Sequence, residues 1–236
     1  MRLVTVTLWI LIGAALTGGA YWSFLITPES TVWTLGVSAL LLLTAAVLVG
    51  ITVTGAMVGW REGISATLLR TAVGRAPAIV PAAVLVALVW WLTGLATDRM
   101  TIYSGPINAW FIAALGWDDV SWLFTGITWL ANWLRWVVAP LLALSLMAGV
   151  VLAGWRALAG VSWLRHALAP VNLGMATLFF GLLIAAPWIY LAPWRPAGLP
   201  ATTIELAFII AKLSVTALLM ATGVALIVRQ AIDEGA

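Results

Sequence analysis

The sequence has no cysteine, a single histidine and few charged residues. The absence of Cys excludes disulfides, thiolate metal sites and iron–sulfur clusters. The single histidine, His166, excludes a bis-His haem held within one chain and a His-rich metal site. Only 8% of the 236 residues are charged, against about a quarter in an average soluble domain. We therefore expect no metal, no cofactor and no soluble catalytic domain.

Hydrophobic residues make up 64% of the chain and are gathered into long runs. The net charge is only +3 and no basic run exists, which indicates that nucleic acid is not a partner. Six runs reach the length of about 20 apolar residues that a spanning helix needs. They lie near 4–25, 32–57, 77–97, 134–154, 171–193 and 203–228. The sequence therefore predicts an all-α integral membrane protein with six transmembrane helices in a single membrane domain, 1–236.

The distribution of arginine predicts the orientation of the six spans. With the N-terminus in the cytoplasm, seven Arg lie on the inner side and three on the outer side, and Lys212 lies within the last span. Positive charge accumulates on the cytoplasmic side of membrane proteins. We therefore expect a multi-pass protein of a bacterial inner membrane with both termini in the cytoplasm. We also expect the first span to be a retained helix rather than a cleaved signal peptide.

Two predicted cytoplasmic loops carry similar residues at the same spacing. The sequence Gly-Trp-Arg at 59–61 recurs 95 positions later at 154–156, and Leu-Arg at 69–70 recurs at 164–165. Trp or Leu beside Arg is typical of amphipathic helices at a membrane surface, so we predict two cytoplasmic interfacial helices. The spacing indicates either a parallel repeat of 32–97 and 134–193 or separate selection of Trp-Arg at a membrane edge. The predicted interface residues are Trp60, Arg61, Arg70, Trp155, Arg156 and Arg165.

Tryptophan is concentrated on the predicted outer side, which holds 12 of the 16 Trp residues. An aromatic belt would place more similar numbers of Trp residues at the two membrane interfaces. We predict that 107–133 lies in the interface or re-enters the membrane, because its apolar run is too short to span and Asp118 and Asp119 interrupt it. Polar residues then recur every three or four positions from Ser121. This spacing predicts an outer, Trp-rich amphipathic helix, capped by the two acids and either continuous with the fourth span or bent near Pro140.

The predicted outer helix suits either of two roles. It could anchor the protein in the outer leaflet, or it could form a docking surface for another subunit, a lipid headgroup or a flat hydrophobic ligand. One stripe of this helix would supply aromatic contacts and the neighbouring stripe would supply polar ones. The contact residues would be Trp122, Trp129, Trp133, Trp136, Asn132 and Arg135.

Lys212 is the only lysine, and it lies nine residues into the last span. An ionisable group at that depth is costly and is a functional candidate by default. Glu205 and Thr216 lie on the same helix face, two turns outward and one turn inward. The lysine stem leans outward and can snorkel toward Glu205. Its role is therefore either that of a structural anchor or that of a contact for a substrate, an ion or a lipid headgroup.

A lysine in the last span and the sequence Trp-Leu-Phe-Thr at 122–125 resemble the microbial rhodopsins, whose lysine carries retinal. Ser121 stands where that family has an Asp before the Trp. This sequence also has fewer spans between Trp122 and Lys212 than the microbial rhodopsins have between the matching residues. We therefore transfer neither the cofactor nor the function to this chain.

Three functional hypotheses follow from these features. The leading one is a non-catalytic membrane protein that binds partner subunits or lipids as an accessory or scaffold component of a membrane complex. Enzymatic activity is not expected, because the sequence has no nucleophile constellation, nucleotide loop or metal-ligand set. The alternative is a small transporter or permease component that uses Lys212 and Glu205. The third is a lipid-active enzyme at the outer face, with its residues drawn from Asp98, Asp118, Asp119 and Arg135.

Overall fold

The computed structural model describes residues 1–28, 30–63, 65, 67–117, 120–194 and 203–232. All regular secondary structure within these ranges is helical. Six of the helical units are long and apolar enough to cross a membrane. The predicted all-α class and the predicted number of helices of spanning length are therefore confirmed.

We number the α-helices in chain order. They are α1 (Arg2–Ile26), α2 (Val32–Glu62), α3 (Leu68–Arg75), α4 (Ile79–Leu115), α5 (Ser121–Trp133), α6 (Ala139–Ala153), α7 (Ser162–Ala167), α8 (Pro170–Phe179) and α9 (Thr203–Ile232). Short 3₁₀ turns lie at Ala76–Ala78 and Trp155–Ala159. Wider π-helical segments lie at Leu134–Val138, Phe180–Ala185 and Pro187–Leu191.

The third spanning helix is much longer than predicted. The run at 77–97 continues as α4 to Leu115, so 107–117 is not a separate segment. The helix therefore continues past the predicted end of the third span near 97, through the charged pair at 98–99. Charge alone does not end a helix, whereas a residue in the left-handed region does. Gly116 adopts that conformation, with φ 65°, directly after the last turn of α4.

The predicted outer helix is α5, and it is continuous with the fourth span. Ser121–Ala153 forms one helical unit of 33 residues that includes the π segment and α6. Pro140 lies inside this unit, where it removes one backbone N–H donor, and the helix widens into the π segment just before it. Asp118 and Asp119, the predicted cap, lie outside the described residues.

The densest packing lies at the end of the bundle that holds the start of α1 and the end of α9. The main buried cluster combines side chains from the beginning of α1, the end of α2, the beginning of α4 and the ends of α6 and α9. Its fully buried members include Val6, Met57, Met147 and Val228. Large apolar side chains toward the opposite ends of these helices are mostly exposed. The bundle is therefore tight at the end that we predict to be cytoplasmic and open at the other.

Candidate functional site

The far part of α4 and all of α5 form a two-helix projection that we call the outer hairpin, residues 98–117 and 120–133. A series of ring contacts connects the two helices near their junction. Trp110 meets Phe111 edge-on, with 5.1 Å between ring centroids, and Phe111 stacks on Trp117 at 5.2 Å. Trp117 then meets Trp122 of α5 at 6.1 Å. Aromatic contacts of this kind add to the free energy of apolar burial, so they help to hold the two helices together.

The predicted tryptophan stripe of the outer hairpin is mostly a surface. Trp122 is 60% exposed, Trp129 is 73% exposed and Trp136 is 50% exposed. Trp133 differs, because it is half-buried and its indole Nε1 donates to the Thr177 hydroxyl at 2.9 Å. The stripe therefore offers three exposed rings, while the fourth joins this helix to α8.

Arg135 lies at the base of the outer hairpin and bonds to α4. Its Nε donates to the Thr93 hydroxyl at 2.7 Å, and a terminal nitrogen donates to the Thr97 hydroxyl at 3.4 Å. The guanidinium carbon also lies 5.7 Å from the centroid of the Trp90 ring. Arg135 thus connects two helices of spanning length through hydrogen bonds to two threonine hydroxyls.

Sequence analysis missed the partners of Arg135. Thr93 and Thr97 are one helical turn apart on α4, and that spacing was the available signal. Trp90 also meets Trp136 edge-on at 4.9 Å, which adds an aromatic contact between the same two helices. Asn132, predicted beside Arg135 in the polar stripe, is exposed.

Lys212 is half-buried on α9, and the predicted reach of its side chain toward Glu205 stays a prediction. Its Nζ donates to the carbonyl of Trp194 at 2.9 Å and lies 5.8 Å from the centroid of the Phe208 ring. The hydroxyl of Thr216, which is buried, donates to the Lys212 carbonyl at 2.9 Å. Glu205 is half-buried on the same helix, nearer its start. The lysine therefore ties α9 to the end of the preceding helical unit.

Trp60 and Trp155, which occupy matched positions in the sequence, have different surroundings. Trp60 lies within α2, which continues past the predicted end of the second span near 57 to Glu62. Its indole Nε1 donates to the Ala225 carbonyl at 3.0 Å, and the Arg229 guanidinium lies 5.5 Å from its ring centroid. Trp155 is 56% exposed and follows Gly154, whose φ of 79° ends α6 before the tryptophan. The predicted parallel repeat is not tested by this local difference and stays a prediction.

The remaining predicted interface residues lie at the surface of the same end of the bundle. In α3, Leu68 and Ala72 are buried while Arg70 is exposed, so this short helix is amphipathic. In α7, Ala167 is buried. The other predicted interface arginines, Arg61, Arg156 and Arg165, are also exposed.

A polar network that sequence analysis missed connects α7, α8 and α9. Asn172 is buried and its Nδ2 donates to the His166 carbonyl at 2.7 Å. Gln230 donates to the carbonyl of Asn172 at 2.7 Å and to its side-chain oxygen at 3.1 Å. The His166 ring lies between them, with Nε2 3.0 Å from the Gln230 carbonyl and Nδ1 3.1 Å from the Asn172 amide nitrogen. The sequence signal for this network was a lone polar residue near one end of each of two apolar spans, Asn172 in the fifth and Gln230 beside the sixth.

The features of these regions are exposed aromatic rings and hydrogen-bonded polar side chains. Within the described residues, no group of three His, Asp or Glu side chains could hold a metal ion. Because no protein-family model, curated protein or solved structure matches the chain, its function is inferred from these contacts.

Proposed function

We propose that this protein is a non-catalytic subunit of a membrane complex, and that its outer hairpin binds another membrane protein. The exposure of aromatic rings on the hairpin is the observation that supports the proposal most directly, since Trp110 and Trp122 are 60% exposed and Trp129 more so. Tryptophan is among the residues that dominate the energy of protein interfaces. A contiguous apolar surface of this kind marks an interaction site.

Helix length favours protein over lipid as the cover of the hairpin. The 37 residues of α4 correspond to about 55 Å at 1.5 Å per residue. The hydrocarbon core of a bilayer is about 30 Å thick, so α4 would fit inside it only at a tilt near 60°. Spanning helices tilt by roughly 0–40°. At tilts of 0–40°, about 16–25 Å of α4 would therefore extend past the hydrocarbon, together with α5, and the rings there need another partner.

The location that we propose is a bacterial inner membrane with both termini in the cytoplasm. Exposed arginines at the end of the bundle that holds both termini support this orientation. The amphipathic surface of α3 and the position of α7 at the same end support the two interfacial helices predicted there.

Replacing Trp110, Trp122 and Trp129 together with Ala tests the hairpin as a binding surface. We expect a second subunit to co-purify stoichiometrically with the wild-type protein from its own membrane in mild detergent, and to be lost from the triple variant. Truncation of an interface tryptophan typically weakens binding by at least about 30-fold. Quantitative mass spectrometry of the purified complex measures the partner.

Trp22→Ala is the matched control for the hairpin variant, because Trp22 is 64% exposed on α1. It should retain the partner and unfold at the wild-type temperature. The triple variant should stay folded but unfold at a slightly lower temperature, because it also loses the Trp110–Phe111 and Trp117–Trp122 ring contacts. A wild-type protein that purifies as a monomer or a homodimer, or a triple variant that keeps the partner, would contradict the proposal. Retention of lipid alone would show that the hairpin is a membrane anchor instead.

The alternative function is a transporter component that uses Lys212 and Glu205, and it would require Lys212 to be part of a substrate site. A transport site needs an ammonium that can exchange partners. The bond to the Trp194 carbonyl and the position beside Phe208 support a fixed anchor. We therefore assign Lys212 a structural role.

Replacing Lys212 with Met should loosen the outer end of α9 without unfolding the protein. The Nζ bond is lost while the apolar stem is kept, at a cost of about 1 kcal/mol because the group is half-exposed. Amide exchange in 187–194 and 203–212 should then become about fivefold faster. Lys212→Arg, which keeps a donor, should show a smaller change. Unchanged exchange in the Met variant would remove the anchor role and return the lysine to the transporter hypothesis.

A further inference from the structure

A cavity of about 350 Å³ opens between α6, α7, α9 and the turn Trp155–Ala159. Its volume is at the lower end of the range of about 300–1,000 Å³ that is usual for small-molecule sites. The two larger cavities, of about 410 and 520 Å³, are lined almost entirely by apolar atoms. This one is different, because its lining includes Ser145, Arg156, Ser162, Trp163 and His166. None of the described residues that line it is acidic.

Two buried polar atoms on residues of this lining have no hydrogen-bond partner among the described residues. Ser145 is 2% exposed, and its hydroxyl is unpaired. The indole Nε1 of Trp163 is also buried and unpaired. A buried polar group without a partner destabilises a protein, and nearly all such groups in proteins are satisfied. Because both residues line the cavity, a bound molecule with hydrogen-bond acceptors would satisfy these atoms once they turn toward it.

The donor types of the lining determine the chemistry of that molecule. An indole N–H and a guanidinium only donate hydrogen bonds, whereas the Ser145 hydroxyl can do either. His166 is engaged with Asn172 and Gln230 and forms one wall. Donors around a cavity whose described lining holds no carboxylate, with an arginine among them, complement a ligand rich in oxygen acceptors and negative charge. Arg pairs especially well with phosphate, because its planar fork can bind two oxygens at once.

We infer that this cavity binds a phosphate group, held by the Arg156 guanidinium, the Trp163 indole N–H and the Ser145 hydroxyl. The group belongs either to free phosphate or to the headgroup of an anionic phospholipid, since both present the same oxygens. The site is separate from the outer hairpin and does not depend on the function proposed for it.

Two probes test the inference on the purified full-length protein. Inorganic phosphate is titrated calorimetrically into the protein in uncharged detergent. Phosphatidylglycerol is measured by mass spectrometry on protein recovered from vesicles of phosphatidylcholine and phosphatidylglycerol. Whichever probe binds, Arg156→Gln and Trp163→Phe should each weaken it about tenfold or more, as expected when a charge-assisted hydrogen bond is lost.

Arg61→Gln is the matched control, because Arg61 occupies the equivalent position in the other Gly-Trp-Arg sequence and does not line the cavity. It should bind both probes like the wild type. If Trp163→Phe fails to fold, Ser145→Ala replaces it, since that change removes only one oxygen from a packed helix. A response to phosphate identifies the free anion, and retention of phosphatidylglycerol without such a response identifies the lipid. The inference is overturned if neither probe binds, if the site variants bind normally, or if Arg61→Gln weakens binding equally.

Discussion

Replacing Trp60 with Ala should destabilise the protein by about 3 kcal/mol, whereas replacing Trp155 with Ala should change its stability by less than about 0.5 kcal/mol. For a chain of this size the first change corresponds to a fall of about 6–12 °C in the unfolding temperature. The two residues occupy matched positions in the two Gly-Trp-Arg sequences. The local sequence predicts the same role for both residues. A difference in stability between the two Ala variants would therefore come from the contacts that the fold gives to each ring.

The difference comes from what each indole ring contacts. The Trp60 ring packs against the main buried cluster, donates to the Ala225 carbonyl of α9 and lies beside the Arg229 guanidinium. Truncating it leaves a cavity and a lost hydrogen bond between α2 and α9. Arg2 should be unaffected, because it donates to the backbone carbonyl of residue 60. Trp155 is mostly exposed, so its truncation opens no cavity.

Thermal unfolding at one fixed heating rate, in one detergent, provides the comparison. Unfolding of a membrane protein under these conditions is usually irreversible, so only variants measured at the same rate are comparable. Trp60→Phe gives an intermediate case, because it removes the indole N–H and part of the ring volume but keeps an aromatic ring, so its shift should be smaller than that of Trp60→Ala. Equal shifts for Trp60→Ala and Trp155→Ala would show that α2 does not depend on this contact with α9.

The number of spanning helices could be predicted from the sequence, but two of their ends could not. Apolar runs of sufficient length identified all six helices. The predicted ends near 57 and 97 followed hydropathy, whereas α2 runs to Glu62 and α4 to Leu115. Hydropathy reports where a helix leaves an apolar environment. A helix itself ends where the backbone changes conformation, as it does at Gly116.

The candidate sites were predictable only where they depend on a single helix. Helical periodicity placed Trp122, Trp129 and Trp136 on one stripe, and all three are exposed on one helical unit. The partners of Arg135 are on α4, 42 and 38 residues away in the chain. Ser145 and Trp163 likewise meet in one cavity only because α6 and α7 pack together. Contacts between helices depend on packing that a single sequence does not display.

Replacing Gly55 with Leu should prevent α1 from docking on α2 and should leave most of the protein misfolded. A Cβ at this position would lie 2.5 Å from the Trp9 ring, a separation that real structures do not show. Overpacking of a well-filled contact costs about 1–3 kcal/mol and sometimes more. The cost is at the upper end here, because Trp9 is also held by the bond from its Nε1 to the Thr52 carbonyl at 2.9 Å. The ring cannot move aside without breaking that bond.

Gly36→Leu is the control on the same helix, because a Cβ at Gly36 meets nothing within 4 Å. It should fold like the wild type, since Leu also favours helix more than Gly does by roughly 0.5–1 kcal/mol. The fraction of monodisperse protein in size-exclusion chromatography and the unfolding temperature report both outcomes. Adding Trp9→Ala to Gly55→Leu should recover part of the folded protein, because the clash and its relief involve the same two residues. If the double variant is no better than Gly55→Leu alone, the close approach of α1 and α2 at this point does not control their docking.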